Sequence, residues 1–85
     1  MRVQFHKNFI KQYKKQRTIQ KRVDERLALF RVNPFDSILN NHGLTGKYKG
    51  YRSINVTGDF RAIFELIDDN TVCFIEMDTH ENLYR

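Results

Sequence analysis

The first part of the chain intersperses apolar and basic residues with the period of an α-helix. After a short extended segment at residues 2–5, apolar side chains recur three and four positions apart between lysines. This spacing predicts an amphipathic helix that ends near Gln16. The apolar positions that define its buried side are Phe9, Ile10 and Tyr13.

A second apolar stripe follows, with steps of four, four and three residues, as expected for one side of a helix. Its members are Ile19, Val23, Leu27 and Phe30. Thr18 precedes the stripe and is predicted to cap the helix, because a threonine hydroxyl can accept hydrogen bonds from the first free N–H groups. Pro34 predicts that the helix ends at Asn33, since proline disfavours helical backbone at the preceding residue. Residues 35–47 are predicted to form a loop.

The hydrophobic period changes from helical to two at about residue 48. Residues 51–56 alternate, and Thr57-Gly58 marks a tight turn into a second strand at residues 59–67. Residues 68–70 mark another turn, after which a third strand is predicted at residues 71–77. We therefore expect one α+β domain over residues 1–85, with two N-terminal helices on one face of a small, mainly antiparallel sheet. Side chains on the opposite face are then free to line a cleft.

Charge is unevenly distributed along the chain. The whole sequence has 15 Lys and Arg against 10 Asp and Glu, which gives a net charge of +5. Residues 1–34 carry ten basic residues against two acidic ones, or +8, whereas residues 35–85 carry five against eight, or −3. The asymmetry favours a polyanion or an acidic protein as partner. The alternative is that lysine-rich helices merely present ordinary solvated faces.

Composition also limits the class of protein. No apolar stretch approaches the roughly 20 residues of a membrane span. A single cysteine, Cys73, cannot form an internal disulfide, which indicates a reducing compartment and a cytoplasmic protein in which this thiol is structural. The three histidines form no zinc-binding motif, and there is no phosphate-binding glycine loop. We expect neither a metal nor a cofactor.

The C-terminal segment combines a proton donor with an aromatic ring. His80 and Tyr84 are four positions apart, so one turn of helix makes them neighbours. An imidazole exchanges a proton near neutral pH, and a tyrosine ring can stack on a nucleobase. The pair suggests RNA chemistry. The structural alternative is that His80 caps or packs while Leu83 and Tyr84 fix the chain end to the core.

RNA can be cleaved by its own 2′-hydroxyl when a protein supplies a base, an acid and positive charge. His42 or Asp59 is the candidate base, and His80 is the candidate acid. Arg61 or Arg52 can stabilise the phosphate, because the planar arginine fork fits phosphate oxygens. Asp59 and Arg61 point the same way on a strand. Structural alternatives remain open, with Asp59 and Arg61 as a charge pair at a hairpin end and His42 as a loop residue with an unusual backbone angle.

Four segments, taken in order, are specific enough to indicate a family. They are Asn33-Pro34-Phe35, residues 42–55, residues 58–64, and Thr79-His80 with Leu83-Tyr84. Together they resemble the RelE/ParE superfamily of bacterial toxins, and most closely its YafQ-like branch, over essentially the whole chain. The resemblance implies a RelE-like fold.

The resemblance also implies roles for individual residues. His42, Asp59 and His80 match the histidine, aspartate and C-terminal histidine of the branch's catalytic site. Tyr84 matches its usual C-terminal aromatic residue, and Arg61 matches the positive clamp of many relatives. The residues expected to be catalytic are His42, Asp59, His80, Arg61 and Tyr84.

A second group is expected to contact RNA. Phe60 occupies another aromatic position beside the site of the family. Asn55 stands where the best-known YafQ pattern has a further histidine, and an asparagine can form hydrogen bonds but cannot shuttle a proton near neutral pH. The expected RNA-binding residues are Lys47, Lys49, Arg52, Asn55 and Phe60.

The function implied by the resemblance is that of a toxin of a type II toxin-antitoxin pair. Such a toxin enters the ribosomal A site, cleaves mRNA, inhibits translation and growth, and is silenced by a cognate antitoxin. The expected partners are thus an antitoxin, the ribosome and mRNA, with no membrane. The alternative is a ParE-like toxin that inhibits DNA gyrase without catalysis, although the joint presence of His42, Asp59 and His80 argues against it. A third hypothesis is a basic RNA-binding module without toxicity.

Overall fold

Helices and strands form where the hydrophobic period predicts them in the computed structural model, which describes residues 1–84. Within these residues there are three helices, five strands and three single 3₁₀ turns, at residues 17–19, 37–39 and 46–48. The elements are β1 (Arg2–Phe5), α1 (Lys7–Lys15), α2 (Gln20–Val32), β2 (His42–Gly43), β3 (Arg52–Asn55), β4 (Phe60–Asp68), β5 (Thr71–Thr79) and α3 (His80–Leu83). None of these helices is long and apolar enough to cross a membrane.

The five strands form one sheet with the order β1-β5-β4-β3-β2. β1 pairs with β5 in parallel, and the other neighbours are antiparallel. The predicted α+β class with a mainly antiparallel sheet is therefore confirmed. The prediction of a loop throughout residues 35–47 is wrong, because β2 adds an edge strand to β3. Two residues are too few to show a period of two in the sequence.

Both long helices lie against the same face of the sheet. Phe9 of α1 and Phe30 of α2 are buried, and the Phe30 ring meets Phe64 and Phe74 of the sheet at centroid distances of 5.0 and 5.3 Å. Burial of each such ring contributes about 1.5–3 kcal/mol. This aromatic cluster fixes the helices on one face, as the apolar stripes predict.

Thr18 does not cap α2 as predicted. The 3₁₀ turn at residues 17–19 runs directly into the helix, whose N-cap residue is Ile19 and has no side-chain capping bond. Instead, the backbone N–H of Gln20 donates to the carbonyl of Arg17. Because Thr18 is itself part of the 3₁₀ turn that leads into α2, it is not free to act as the capping residue in front of the helix.

The sheet face opposite the long helices is partly covered. Ile63 of β4 and Leu83 of α3 are buried, but neither belongs to the cluster beneath α1 and α2. Ile63 lies opposite Glu76 of β5. Its neighbour Ala62 belongs to the core cluster, and successive side chains of a strand alternate, so Ile63 is on the opposite face of the sheet. The chain end therefore covers one part of this face, and the rest is available for a site. We call this surface the open face.

Cys73 is half-buried in β5. Burial raises the pKa of its thiol, and the negative charge of Glu65 raises it further, partly opposed by a hydrogen bond with the His6 backbone. The thiol consequently stays protonated at neutral pH, in agreement with the predicted structural role.

Candidate nucleic-acid cleavage site

The short helix α3 determines where the C-terminal side chains lie. Thr79 caps it by accepting a hydrogen bond from the Asn82 backbone N–H at 3.1 Å. Leu83 is buried at its other end. The His80 and Tyr84 rings lie 4.8 Å apart between centroids, so the prediction that these two side chains are neighbours is confirmed. Since Thr79 is the cap, the alternative of a capping role for His80 is wrong.

Asp59 lies directly beside His80. The backbone N–H of His80 donates to the Asp59 carbonyl at 2.9 Å, which continues the β4–β5 ladder by one row. The Thr57 hydroxyl fixes the turn before β4 by accepting hydrogen bonds from the N–H groups of Asp59 and Phe60, at 3.2 and 3.0 Å. Two of the predicted catalytic residues, Asp59 and His80, therefore lie side by side at the end of the β4–β5 pair that is away from the turn connecting these strands.

Arg61 is held by the same turn. Its Nη1 donates to the carbonyls of Thr57, Gly58 and Phe60 at 3.1, 3.1 and 3.2 Å. It thus bonds to backbone carbonyls rather than forming the charge pair with Asp59 considered above. Within residues 1–84, all guanidinium hydrogen bonds of this arginine use Nη1, which leaves Nε and Nη2 available to a phosphate.

Asn55 and Arg61 are paired residues on β3 and β4, and Arg61 is paired in turn with Asp78 of β5. Residues opposite one another in a sheet project from the same face, so this row lies on the open face next to Asp59. The Oδ1 atom of Asn55 is buried and has no hydrogen-bond partner among residues 1–84. An unsatisfied buried acceptor in a folded protein calls for an explanation, and a bound donor is one.

His42 approaches the open face from the opposite edge of the sheet. Its partner in β3 is Ser53. Ser53 pairs with Ile63 of β4, and Ile63 pairs in turn with Glu76 of β5. His42 is therefore three strand spacings from β5, or about 14 Å, and its row crosses β4 at Ile63, four residues from Asp59. The structure places His42 on the same face as Asp59 and His80 but not in contact with them.

The Asn40 carbonyl orients the His42 ring. Its Nδ1 lies 2.7 Å from the Asn40 carbonyl, an atom that can only accept, so Nδ1 carries the hydrogen. In the neutral ring, Nε2 then has a free lone pair and can take a proton. The unusual backbone angle considered for His42 belongs instead to Asn40, whose φ of 47° is left-handed.

Tyr48 and Glu76 belong to the site and were missed as functional candidates. The Tyr48 hydroxyl donates to Glu76 Oε2 at 2.7 Å, and its ring meets Tyr84 edge-on at 5.8 Å. Burial, followed by the hydrogen bond to Glu76, raises the pKa of Tyr48 far above its ordinary value. The phenol is therefore a fixed donor and a support for the Tyr84 ring, not a base. The sequence signal for Tyr48 is an aromatic residue between two lysines, Lys47 and Lys49.

The other predicted RNA-binding residues lie in two places. Lys47 and Lys49 are exposed beside Tyr48, and Lys47 Nζ is 5.2 Å from the centroid of its ring. Arg52 and Phe60 are on the helix-facing side of the sheet. Arg52 donates to Asn41 Oδ1 at 2.8 Å, and Phe60 packs against the core cluster. These two side chains are not brought together with Asp59 and His80.

The fold of the chain is similar to the folds of several solved toxin structures. YafQ from E. coli strain BL21(DE3) superposes with a TM-score of 0.83 at 23% identity, with all of both chains covered. The E. coli DinJ-YafQ toxin-antitoxin complex gives 0.80 at 23%, covering 98% of this chain and 96% of that chain. The YoeB/ParE toxin from Agrobacterium tumefaciens gives 0.77 at 15%, covering 94% and 99%. At these identities the likeness shows the fold alone.

Family comparison is more specific. No curated protein sequence is significantly similar to the chain. The model of the family described as "Bacterial toxin of type II toxin-antitoxin system, YafQ" matches residues 1–85. The chain therefore belongs to the YafQ family of toxins of type II toxin-antitoxin systems, within the RelE superfamily.

Proposed function

We propose that this toxin is a ribosome-dependent endoribonuclease that cleaves mRNA by metal-independent acid–base catalysis and thereby inhibits translation and growth. The observation that carries the proposal is the backbone hydrogen bond that sets Asp59 and His80 side by side, together with the contact of the His80 ring with Tyr84. His80 can donate a proton, Asp59 supplies a carboxylate, and the Tyr84 ring can stack on a nucleobase. Membership of the YafQ family supports the toxin role.

The proposed reaction uses the RNA itself as nucleophile. A protein base removes the 2′-hydroxyl proton, the 2′-oxygen bonds to the adjacent phosphorus, and the bond from phosphorus to the 5′-oxygen breaks. An acid donates a proton to the departing 5′-oxygen. The products are a 2′,3′-cyclic phosphate and a 5′-hydroxyl, so atoms and charge balance without a cofactor.

The positions of the histidines favour one distribution of roles. In an in-line displacement, the attacking and leaving oxygens lie on opposite sides of phosphorus. His80 is proposed to be the acid, and a base is then needed on the other side. His42 approaches from the opposite edge with a free Nε2, whereas Asp59 is next to His80. We therefore favour His42 over Asp59 as base and assign Asp59 to positioning.

The developing negative charge of the phosphorane requires donors and cations. Arg61 is fixed by three carbonyls through Nη1, so its remaining N–H groups are preorganised to meet phosphate oxygens. Lys47 and Lys49 add exposed positive charge beside the site. The buried Oδ1 of Asn55 can accept a hydrogen bond from the RNA.

Two macromolecular partners follow from this proposal. The ribosome presents RNA to the strongly basic residues 1–34, where several Lys and Arg contacts give tight, salt-dependent binding. A cognate antitoxin silences the toxin. A solved relative in this fold is described as a complex of DinJ with YafQ, which supports an antitoxin as partner here.

The test compares the three histidines of the chain on ribosomes programmed with mRNA. His80→Ala and His42→Ala are expected to lower the rate of cleavage by about 10²- to 10⁴-fold, the usual contribution of a general acid or base. His6→Ala is the matched control. His6 accepts a hydrogen bond from the Asn8 backbone at the start of α1, so its loss affects the helix cap and not cleavage.

The substrate provides a second control. An mRNA with a single 2′-deoxynucleotide at the cleaved position should stay intact, because it lacks the nucleophile. Chelation of divalent cations should leave cleavage of a pre-formed ribosome complex unchanged over the assay time. Cleavage by His80→Ala at the wild-type rate contradicts the proposal. Growth arrest with DNA breaks and no new mRNA ends identifies gyrase inhibition instead.

A further inference from the structure

An open cavity of about 320 Å³ lies on the open face of the sheet. Cavities of this size hold small molecules in other proteins. The exposed residues His6 and Asn8 at its margin belong to the cap of α1, since Nδ1 of His6 accepts the Asn8 backbone N–H. We call this cavity the carboxylate pocket, because two of its lining residues are glutamates. The residues that line it are His6, Asn8, Tyr51, Glu65, Ile75 and Glu76.

The register of β3 and β4 brings the main lining residues together. Arg52 of β3 pairs with Phe64 of β4. The residue before the first and the residue after the second, Tyr51 and Glu65, are therefore opposite each other on the next row. Phe64 belongs to the core cluster and side chains alternate along a strand, so this row is on the open face. Glu65 is four residues beyond Arg61 on β4, or about 13 Å. The pocket is thus close to the proposed cleavage site without overlapping it.

A continuous row of aromatic rings connects the proposed cleavage site with the pocket. The ring centroids of His80 and Tyr84 are 4.8 Å apart, and Tyr84 lies 5.8 Å from Tyr48. Tyr48 is in turn 6.5 Å from Tyr51, whose ring lines the pocket. Proteins commonly hold single-stranded RNA on aromatic side chains that stack successive bases. The row therefore gives a single strand a path from His80 to the pocket.

Two carboxylates are an unexpected lining in a chain with a net charge of +5. Glu65 and Glu76 are both half-buried, and only Oε2 of Glu76 accepts the Tyr48 hydroxyl, so its Oε1 is left for a ligand. Ionised carboxylates repel a phosphate, but they accept hydrogen bonds from N–H groups on the edge of a base. Lys47 and Lys49 are exposed beside Tyr48 and can hold the phosphates outside the pocket. The lining therefore fits a base and excludes the backbone that carries it.

Guanine matches a carboxylate better than the other three bases do. Its Watson–Crick edge presents N1–H and the N2 amino group side by side, and one carboxylate can accept from both. Adenine and cytosine place a ring nitrogen with a lone pair beside the amino group, and uracil places a carbonyl on each side of its N–H. In these three bases an acceptor faces the second carboxylate oxygen, and that oxygen is left without a donor. The pocket therefore favours guanine.

We propose that the carboxylate pocket binds the base of a nucleotide downstream of the cleaved bond, with the Tyr51 ring against the base and Glu65 accepting from its Watson–Crick edge. This inference rests on the proposed function, because the direction of the strand follows from His80 as the acid. His80 protonates the 5′-oxygen of the downstream nucleotide, so the strand that continues from His80 along the rings is the one on the 3′ side.

Binding of short RNAs tests the base preference without cleavage. The probes are 2′-O-methyl oligouridylates, which lack the nucleophile, with one central guanosine or one central inosine. Inosine differs from guanosine only in lacking the 2-amino group. Fluorescence anisotropy should show that the wild type binds the guanosine probe about 10-fold more tightly, as expected for a hydrogen bond to a carboxylate. Glu65→Gln keeps the size of the side chain but replaces one acceptor by a donor, and it should reduce this ratio to less than about 2-fold.

Glu25→Gln is the matched control, since it makes the same change on α2, where Glu25 pairs with the exposed Arg22. Loss of a negative charge raises the affinity for every RNA, and the ratio of two affinities removes this effect. The control should therefore keep the ratio of about 10-fold. Equal effects of Glu65→Gln on both probes reduce the carboxylate to a general charge and overturn the proposal.

The stacking contact is tested with two variants of Tyr51. Tyr51→Leu should weaken binding of the guanosine probe by about 10-fold, and Tyr51→Phe should stay within about 2-fold of the wild type, because stacking needs the ring and not the hydroxyl. In the wild type, the backbone amide NMR signals of Tyr51, Glu65 and Glu76 should shift when the guanosine probe is added. Shifts confined to other parts of the protein overturn the pocket as the binding site.

Cleavage on the ribosome gives the position of the base and separates this inference from the proposed activity. Replacement of guanosine by inosine at one downstream position should slow cleavage by the wild type by about 10-fold and leave Glu65→Gln unaffected. Cleavage without a guanosine preference in either assay, or a preference only upstream of the cleaved bond, overturns the pocket and leaves the nuclease. If the wild type does not cleave but the binding ratio holds and depends on Glu65, the nuclease proposal fails and the pocket stands as a base-binding site.

Discussion

The hydrogen bond between Tyr48 and Glu76 is expected to couple the loop before β3 to β5. The two residues are 28 positions apart, and the 2.7 Å distance is short, as expected for a donor to a carboxylate. A hydrogen bond to a charged group contributes about 1.5–3 kcal/mol when it is buried. Because both side chains are only partly buried, we expect about 1–2 kcal/mol.

A double-mutant cycle isolates this contribution. Tyr48→Phe removes the hydroxyl and keeps the ring, and Glu76→Ala removes the carboxylate. Unfolding by urea should show that each variant loses about 1–2 kcal/mol, and that the double variant loses less than the sum by about 1 kcal/mol. A coupling energy below about 0.3 kcal/mol refutes the bond as a stabilising contact.

The ring has a second role that the hydroxyl does not share. Tyr48 meets Tyr84 edge-on, and an aromatic pair of this kind contributes about 0.5–1.5 kcal/mol beyond burial. Tyr48→Leu should therefore lower both stability and mRNA cleavage, whereas Tyr48→Phe should lower mainly stability. Equal cleavage by Tyr48→Leu and the wild type refutes the idea that this ring supports Tyr84.

Three further predictions test other parts of the structure. Above about pH 10 the unfolded Tyr48 loses its proton while the folded phenol keeps it, so stability should fall by up to about 1.4 kcal/mol per pH unit. Tyr48→Phe should lack this component, as measured by urea unfolding at pH 9–11. Phe30→Ala should cost about 3–5 kcal/mol in the same assay, and a loss below about 1 kcal/mol contradicts the packing described. Thr79→Ala should cost about 1 kcal/mol and speed hydrogen exchange in α3, with unchanged exchange contradicting the cap.

Much of the fold is determined locally by the sequence. A helical stripe such as Val23, Leu27 and Phe30 has a period of 3.6, and residues 60–66 have a period of two, so each segment can bury one side in only one kind of element. Proline at position 34 ends α2 for a similarly local reason. The pairing of His80 with Tyr84 also follows from spacing, because one helical turn brings them together.

For Arg52, the local sequence pattern predicts the face of the sheet but not the role of the side chain. Its alternation with Ile54 already indicates a place on the core-facing side, yet an arginine also fits a phosphate clamp. Only the folded chain shows that Arg52 meets Asn41 and lies 5.7 Å from the Phe35 ring. Whether Arg52 binds the loop or a phosphate depends on the side chains that residues 35–41 bring next to it. The sequence of this loop has no helical or strand periodicity from which that arrangement could be predicted.

The assembly of the site depends on contacts that form only in the folded chain. The pairing of two-residue β2 with β3 and the Tyr48–Glu76 bond join residues that are not neighbours in the chain. Periodicity and turn preferences report the conformation of neighbouring residues, whereas these contacts depend on how helices and strands close around a common core. The hydrophobic period and the order of motifs are therefore enough to predict the long helices, the long strands and the family, whereas the placement of His42 and His80 on one face depends on the folded chain.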